Sequence, residues 1–424
     1  MQQTIPAIHS SPDPNAAALI DRYTAVRRFA LDLAEPLSPE DCAAQSMPDA
    51  SPVKWHLAHT TWFFEHFVLQ AHAPHYQAFD GAFAYLFNSY YDALGERHPR
   101  PLRGLLSRPS LQRVLAYRLH VDNALREWLH RSAPPPQVLE LLELGLHHER
   151  QHQELLLTDV KHLLFQNPLK PVYRTDLCLP AAGAPLPQRF VEGQAGKAAI
   201  GHAGGGFAFD NESPRHSRWL NPHCMAWRPV VNAEYREFVL DRGYRRPDLW
   251  LADGWCIVQQ RGWRQPIYWD ESLECEFTLA GMQPLNPAAP VCHISYYEAD
   301  AYARWCGARL PDEDEWEAAA AATPFCGNFA DAGVLHPRAA LDAHDRQYFG
   351  DVWEWTGSAY RPYPGFRIAE GAVGEYNGKF MANQMVLRGG SCASHSDHLR
   401  PSYRNFFYPD ARWQFAGIRL ARDV

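Results

Sequence analysis

Two histidines four residues apart, His148 and His152, lie in the run Leu146-His147-His148-Glu149-Arg150-Gln151-His152. On a helix, residues i and i+4 share a face, so both imidazoles can reach one ion. A single histidine on an apolar stripe is usually a satisfied core residue. A second one a turn away changes the balance, because buried imidazoles need partners and a cation serves two at once. A third candidate comes from Trp55-His56-Leu57-Ala58-His59-Thr60-Thr61-Trp62-Phe63-Phe64-Glu65, where His59, Trp62, Phe63 and His66 recur at helical spacing. Either His59 or His56 can complete a three-histidine set. Three neutral nitrogens with open coordination positions describe a catalytic rather than a structural metal centre. Nitrogen ligands alone do not choose among Fe(II), Zn(II), Ni(II) and Cu(II).

The stripe that carries His148 and His152 also holds Leu141, Gly145 and Leu155, within an apolar-periodic segment over 136–165. Similar periodicity predicts helices over 15–34, 51–72 and 108–131, which together suit a four-helix bundle. The second begins at Ser51-Pro52, a capping residue followed by proline. Between the second and third, residues 73–107 are too many for a simple turn, and loops of that length often carry function. This one holds Phe87-Asn88-Ser89-Tyr90-Tyr91-Asp92 and His98-Pro99-Arg100-Pro101-Leu102-Arg103-Gly104. A proline-rich stretch at 167–187 reads as a linker. Eleven of the fourteen tryptophans follow residue 200, among short strand-like runs broken by Gly, Pro and Asp. One clear helix is expected there near 296–305 and a shorter one at 312–321. The expected class is therefore α+β: a flexible leader 1–15, a helical metal-binding bundle 16–166, the linker, and a loop-rich domain 188–424.

At 424 residues the chain exceeds one ordinary domain, and 46% hydrophobic with 21% charged residues describes a folded protein. A net charge of -8 without a basic run argues against nucleic acid as a partner. No apolar stretch approaches a membrane span. Nine cysteines without CxxC pairs, and a beginning unlike a targeting peptide, lead us to expect reduced thiols and a cytoplasmic protein.

Longer segments carry a family likeness. Pro290-Val291-Cys292-His293-Ile294-Ser295-Tyr296-Tyr297-Glu298-Ala299, Gly307-Ala308-Arg309-Leu310-Pro311-Asp312-Glu313-Asp314-Glu315-Trp316-Glu317, Gly350-Asp351-Val352-Trp353-Glu354-Trp355-Thr356 and Val386-Leu387-Arg388-Gly389-Gly390-Ser391 resemble the formylglycine-generating-enzyme/sulfatase-modifying fold, a C-type lectin variant. The N-terminal half resembles the DinB-like four-helix bundle. Both halves in this order resemble the sulfoxide synthases of ergothioneine biosynthesis, over about residues 16–424, with Phe209-Asp210-Asn211-Glu212-Ser213-Pro214-Arg215-His216 and Tyr403-Arg404-Asn405-Phe406-Phe407 as further family-like segments.

The resemblance implies a non-haem Fe(II) bound by His59, His148 and His152, with His56 and His147 facing elsewhere. It implies that the sulfur of a thiol is joined to C2 of the imidazole of Nα-trimethylhistidine (hercynine), with O2 as oxidant and a sulfoxide as product. Tyr90 and Tyr91 match the loop that supplies active-site tyrosines in the cysteine-using branch. Gln151 matches a glutamine that touches the hercynine imidazole, where an amide can fix the ring's tautomer. Asn405 matches the asparagine at the hercynine carboxylate or ammonium region, and Phe406 and Phe407 offer faces suited to a quaternary ammonium. Members that use γ-glutamylcysteine carry an acidic residue where this chain has Phe407, so a smaller donor such as cysteine is expected. Arg100 and Arg103 are candidates for the donor's carboxylate, since guanidinium binds carboxylate bidentately.

Other readings have their own signatures. A synthase of the same fold making a C–Se bond from a selenosugar would share the histidines and differ in the donor pocket. Ovothiol-type synthases usually add a C-terminal methyltransferase domain, whereas this chain runs to Val424. Formylglycine-generating oxidase chemistry needs two cysteines late in the domain, and only Cys392 follows Ser391. A non-enzymatic, lectin-like binding module would leave the three histidines unexplained.

Overall fold

Apolar spacing at three and four residues builds the first half of the chain. The computed structural model describes residues 14–424 except 92, 94, 133, 343, 369–373 and 375. The expected leader therefore lies almost entirely outside the described residues. Helix α1 (Pro14–Ala34) buries Ile20, Tyr23, Val26, Arg27, Ala30 and Leu33. Helix α2 (Val53–Phe63) is buried at every position. A short α3 (Phe83–Phe87) and a 3-10 turn (Arg100–Leu105) occupy the long segment that follows. Helix α4 (Leu111–Arg131) is capped by the Ser110 hydroxyl, which accepts from the Arg113 amide. Helix α5 (Pro136–Gln166) begins on proline, the residue that gives up no hydrogen bond there.

The second predicted helix is not one continuous α-helix. Past Phe63 it winds on as a π-helix over Phe64–Gln70, a rare geometry that recurs at functional sites. The winding changes next to buried Glu65, whose carboxylate accepts from Tyr76 Oη (2.7 Å), Tyr117 Oη (2.6 Å) and the Phe79 amide (3.0 Å). Beside this turn Phe63 and Phe64 press on Gly145 of α5. A Cβ at Gly145 would stand 2.5 Å from the Phe64 ring, so only glycine lets the helices bearing the histidines approach so closely.

The packing divides the chain into two units. One contains the residues up to Ser89 with Glu96–Gln153, the other Tyr90–Gly95 with Glu154–Val424. The division falls inside α5 rather than in the proline-rich stretch, because the last turns of α5 find partners in the second unit. Glu154 accepts from Trp353 Nε1 (2.7 Å), Ser391 Oγ (2.6 Å) and Ser394 Oγ (2.5 Å), and Lys161 Nζ donates to His293 Nε2 (2.8 Å).

In the second unit, the strands are β1 (Phe190–Glu192), β2 (Gly196–Ile200), β3 (His216–Leu220), β4 (His223–Ala226), β5 (Cys275–Thr278), β6 (Gly281–Pro284), β7 (Gly327–Asn328), β8 (Phe349–Gly350), β9 (Trp353–Ala359), β10 (Met385–Arg388), β11 (Asn405–Phe407), β12 (Ala416–Ile418) and β13 (Ala421–Asp423). The largest sheet has the order β11-β10-β9-β12, antiparallel except for the β9/β12 pair. Four helices accompany the strands: α6 (Asn232–Leu240), α7 (Ala252–Arg261), α8 (Tyr296–Trp305) and α9 (Glu313–Ala321). The last two match the helices expected from sequence. The first two add to them. Helix α6 buries only Asn232, Tyr235 and Phe238. Helix α7 has Gly254 inside it, where a Cβ would meet the Tyr297 ring at 2.8 Å, so neither shows an apolar stripe in sequence.

The family-like segments have physical jobs. Ser295 and Glu298 form a reciprocal capping box that starts α8 (Ser295 N to Glu298 Oε2 2.8 Å; Glu298 N to Ser295 Oγ 3.2 Å). Glu354 accepts from Arg419 and from Trp316 Nε1 (2.6 Å). Gly389 has φ +101°, and a Cβ there would stand 2.5 Å from the Tyr348 carbonyl oxygen. Among the described residues no helix is long and apolar enough to cross a membrane.

A charged network ties the four long helices of the first unit together. Arg27 of α1 donates to Asp122 of α4 (2.8 Å), Glu149 of α5 (3.0 Å) and Thr61 of α2 (2.9 Å). Arg118 of α4 donates to the other Glu149 oxygen and to the Arg27 carbonyl (2.7 Å). Burial opposes the charge on Arg27, but Asp122 and Glu149 outweigh it and hold the guanidinium firmly protonated. Removing one member of such a buried network strands its partners. We expect Glu149→Ala to cost about 3–5 kcal/mol of stability, read as a lower urea midpoint with loss of helical signal. An unchanged midpoint would show that the network contributes nothing.

Candidate metal centre

The helices bring three histidines to one point. His59 on α2 and His148 and His152 on α5 each offer a nitrogen, and the three atoms lie within 4.8 Å of one another. His59 Nδ1 stands 2.6 Å from the Phe87 carbonyl oxygen. That contact needs the proton on Nδ1, which leaves a lone pair on Nε2. His59 Nε2 faces His148 Nε2 at 3.2 Å. Two imidazole nitrogens aimed at each other, one of them fixed as an acceptor, fit a shared cation.

The expectation that His56 faces elsewhere is only half met. His56 stays outside the cluster, but its Nδ1 lies 2.9 Å from His152 Nδ1. Between two Nδ1 atoms at that distance one must donate, so the contact with His56 fixes the orientation of the His152 ring. Sequence reasoning missed this role, although the i,i+3 spacing of His56 and His59 was its signal.

The electrostatics favour neutral ligands. Burial, then the neighbouring His148, holds His59 well below the ordinary imidazole range. Burial, with His56 adding to it, lowers His148 to about 3. Burial, then His148 and His59, lowers His152 well below its usual value, and the Arg103 guanidinium adds a smaller push to His59 and His152. Imidazoles that resist protons keep their lone pairs for a metal.

The other sequence candidates fall as follows. Gln151 is half-buried on α5 between the two ligand positions. Arg103 is buried, its guanidinium carbon 3.3 Å from the centroid of the Trp55 ring, and it donates to Ser51 Oγ (2.8 Å) and Ser89 Oγ (3.2 Å). Arg100 is exposed and donates to the Asp49 carbonyl. Tyr90 and Tyr91 belong to the second unit, their rings 4.7 Å apart. The Tyr90 hydroxyl bonds to those of Tyr91 and Tyr376, and burial pushes its phenol well above the usual range. Asn405, Phe406 and Phe407 form β11. Phe406 stacks on Tyr360 at 4.0 Å, and Phe407 sits near Trp413 at 6.5 Å. Tyr376 was not anticipated. It lies in a Gly- and Asn-containing loop with no periodicity to mark it.

Comparison with known proteins follows both halves. The DinB superfamily model matches residues 22–156, and the sulfatase-modifying factor enzyme 1-like domain matches 184–344 and 335–424. Hercynine oxygenase of Mycolicibacterium thermoresistibile is 31% identical over 97% of this chain and 96% of its own length. The same enzyme of Mycolicibacterium smegmatis is 32% identical over 96% and 99%. The formylglycine-generating enzyme of Streptomyces coelicolor is 29% identical over 54% of this chain and 87% of its own.

Two outcomes are expected of the site. His56→Leu should weaken metal binding about 10–100-fold in a chelator competition titration, the usual effect of losing a ligand's hydrogen-bond partner. Equal affinity would remove His56 from the site. The second concerns acid. In the metal-free protein, the unfolded chain takes up a proton on His148 below its ordinary value of 6.5, whereas the folded chain refuses it until about 3. The folded-state value is depressed, so stability is full above 6.5 and falls as pH drops through this window. Melting of the metal-free protein should therefore weaken from about pH 7.5 to about pH 5, and His148→Gln should flatten that slope. Parallel slopes for the two proteins would contradict it.

Proposed function

The chain belongs to the hercynine oxygenase family, the sulfoxide synthases of ergothioneine biosynthesis, and on that premise we propose that it joins the sulfur of cysteine to imidazole C2 of hercynine. The reading includes a non-haem Fe(II) held by His59, His148 and His152, with O2 as oxidant and hercynylcysteine sulfoxide as product. The observation that carries it is the gathering of three neutral, buried imidazole nitrogens within 4.8 Å.

Fe(II) in that position supplies the redox chemistry with O2. The protein's own part is orientation and protons. A ligand set without carboxylates leaves the cation's charge unopposed, which favours an anionic thiolate beside it. Gln151 orients the hercynine ring through its amide, and Asn405 holds the carboxylate or ammonium end. Phe406 and Phe407 present aromatic faces to the trimethylammonium. Arg103, buried against Trp55, and Arg100 are the candidates for the donor's carboxylate. Burial keeps the Tyr90 phenol protonated, so Tyr90, with Tyr91 bonded to it, can deliver a proton from Oη. Phe407 offers no carboxylate to a γ-glutamyl amine, which favours cysteine over γ-glutamylcysteine.

Formylglycine-type chemistry finds no support. Cys392 is fully buried, and burial, then Cys292, pushes its thiol well up, away from the thiolate that a metal would need.

The test is anaerobic loading with Fe(II), then hercynine and O2 with cysteine, γ-glutamylcysteine or a selenosugar in parallel, read by mass. We expect the cysteine sulfoxide adduct to dominate. A selenium adduct in its place would make the chain a selenoneine synthase. His59→Ala, His148→Ala and His152→Ala should each abolish the adduct, and Tyr90→Phe or Tyr91→Phe should divert oxygen to cysteine sulfinate. Wild-type product ratios in both tyrosine variants would exclude their proton role.

A further inference from the structure

Trp55, His59, Trp62 and His66 form one stacked ladder along α2 and into the π-helical turns. Successive ring centroids are 4.5, 5.7 and 5.4 Å apart, and successive planes differ by 14°, 15° and 12°. The first three rungs are buried, while His66 is half-buried and bonds to Gln70, an exposed residue. His59 is one of the three clustered histidines, so the ladder leads from the candidate metal centre toward the surface.

The two tryptophans are not equivalent. The Arg103 guanidinium lies against the Trp55 ring at 3.3 Å, and a positive charge on that face makes loss of an electron costly. Trp62 is stacked between the imidazoles of His59 and His66, on the side of the ladder away from Arg103. An electron is therefore most easily removed at Trp62, one rung from the metal ligand and one rung from the half-buried end.

We infer that Trp62 is a protective electron donor, used when O2 is activated while hercynine is absent. This rests on the metal-dependent reading above. Trp62 gives up one electron through the stacked His59 to the oxidised centre, and the buried indole keeps its N–H proton as a radical cation. A small thiol, the class of compound the reaction already consumes, then returns one electron through the half-buried His66 end of the ladder and loses its S–H proton to solvent. Two thiyl radicals couple to a disulfide. Over four such passes one O2 becomes two waters and four thiols become two disulfides.

The experiment exposes Fe(II)-loaded protein to O2 without hercynine, with and without cysteine. Samples are freeze-quenched for electron paramagnetic resonance and digested for peptide mass analysis, with iron content and O2 uptake measured alongside. We expect an indole-type radical that cysteine quenches, and oxygenated Trp62 in the thiol-free sample. Trp62→Phe at equal iron content should lose the radical and lose activity several-fold faster under these conditions. Trp62→Tyr, which keeps a bulky oxidisable ring, should change the signal to a phenoxyl type. An enzyme that binds iron and consumes O2 yet gives no organic radical, or the same indole signal in Trp62→Phe, overturns the relay and leaves the proposed function standing. A protein that takes up no iron or consumes no O2 overturns both, and the iron and oxygen measurements tell the two failures apart.

Discussion

The grip of Arg27 and Arg118 on Glu149 is the constraint on which the metal centre rests. Each residue turns an α-helix by about 100°, so fixing Glu149 fixes where its neighbour His148 and the next-turn His152 point. The network reaches α1, α2 and α4 at once through Arg27, Thr61, Arg118 and Asp122. Buried ions contribute little net stability, but they tolerate few alternative arrangements, because every partner must be satisfied. The bundle thus holds α5 by directional bonds on one side and leaves the histidine side to face an ion.

Gly145 and the π-helical winding solve the complementary problem of approach. Directional bonds set rotation, whereas the missing Cβ sets distance, since Phe63 and Phe64 close down on α5 at that residue. The Phe87 carbonyl then settles which nitrogen of His59 carries the proton, and His56 holds the ring of His152 in place. Rotation, approach and tautomer are each governed by a different residue, none of them a ligand.

Much of this was legible in the sequence. The i,i+4 pair on α5 and the periodicity of α2 pointed to three histidines, and Ser51-Pro52 marked the start of α2. The choice between His56 and His59 was not legible from spacing, because both lie on a helix buried on every side, where periodicity carries no direction. Helices α6 and α7 were hidden by polar dilution and an internal glycine. Arg100 and Arg103 looked alike as sequence, yet one binds a surface carbonyl and the other is buried against Trp55. The packing division falls within α5 and not at the prolines, and nothing in the pattern of α5 marks that Glu154 and Lys161 pair with residues far downstream.

That last feature bears on how the chain matures. Glu154 meets Ser394 across 240 residues of sequence, and Lys161 meets His293 across 132. As synthesis proceeds from the N-terminus, α5 emerges with these polar groups lacking the protein partners they bond to in the finished fold. Its histidine-bearing turns can settle early against the network around Glu149. The partner of Lys161 is made only with His293 and those of Glu154 only with Trp353, Ser391 and Ser394, so the packing of the helix that carries two of the three imidazoles is completed in two instalments.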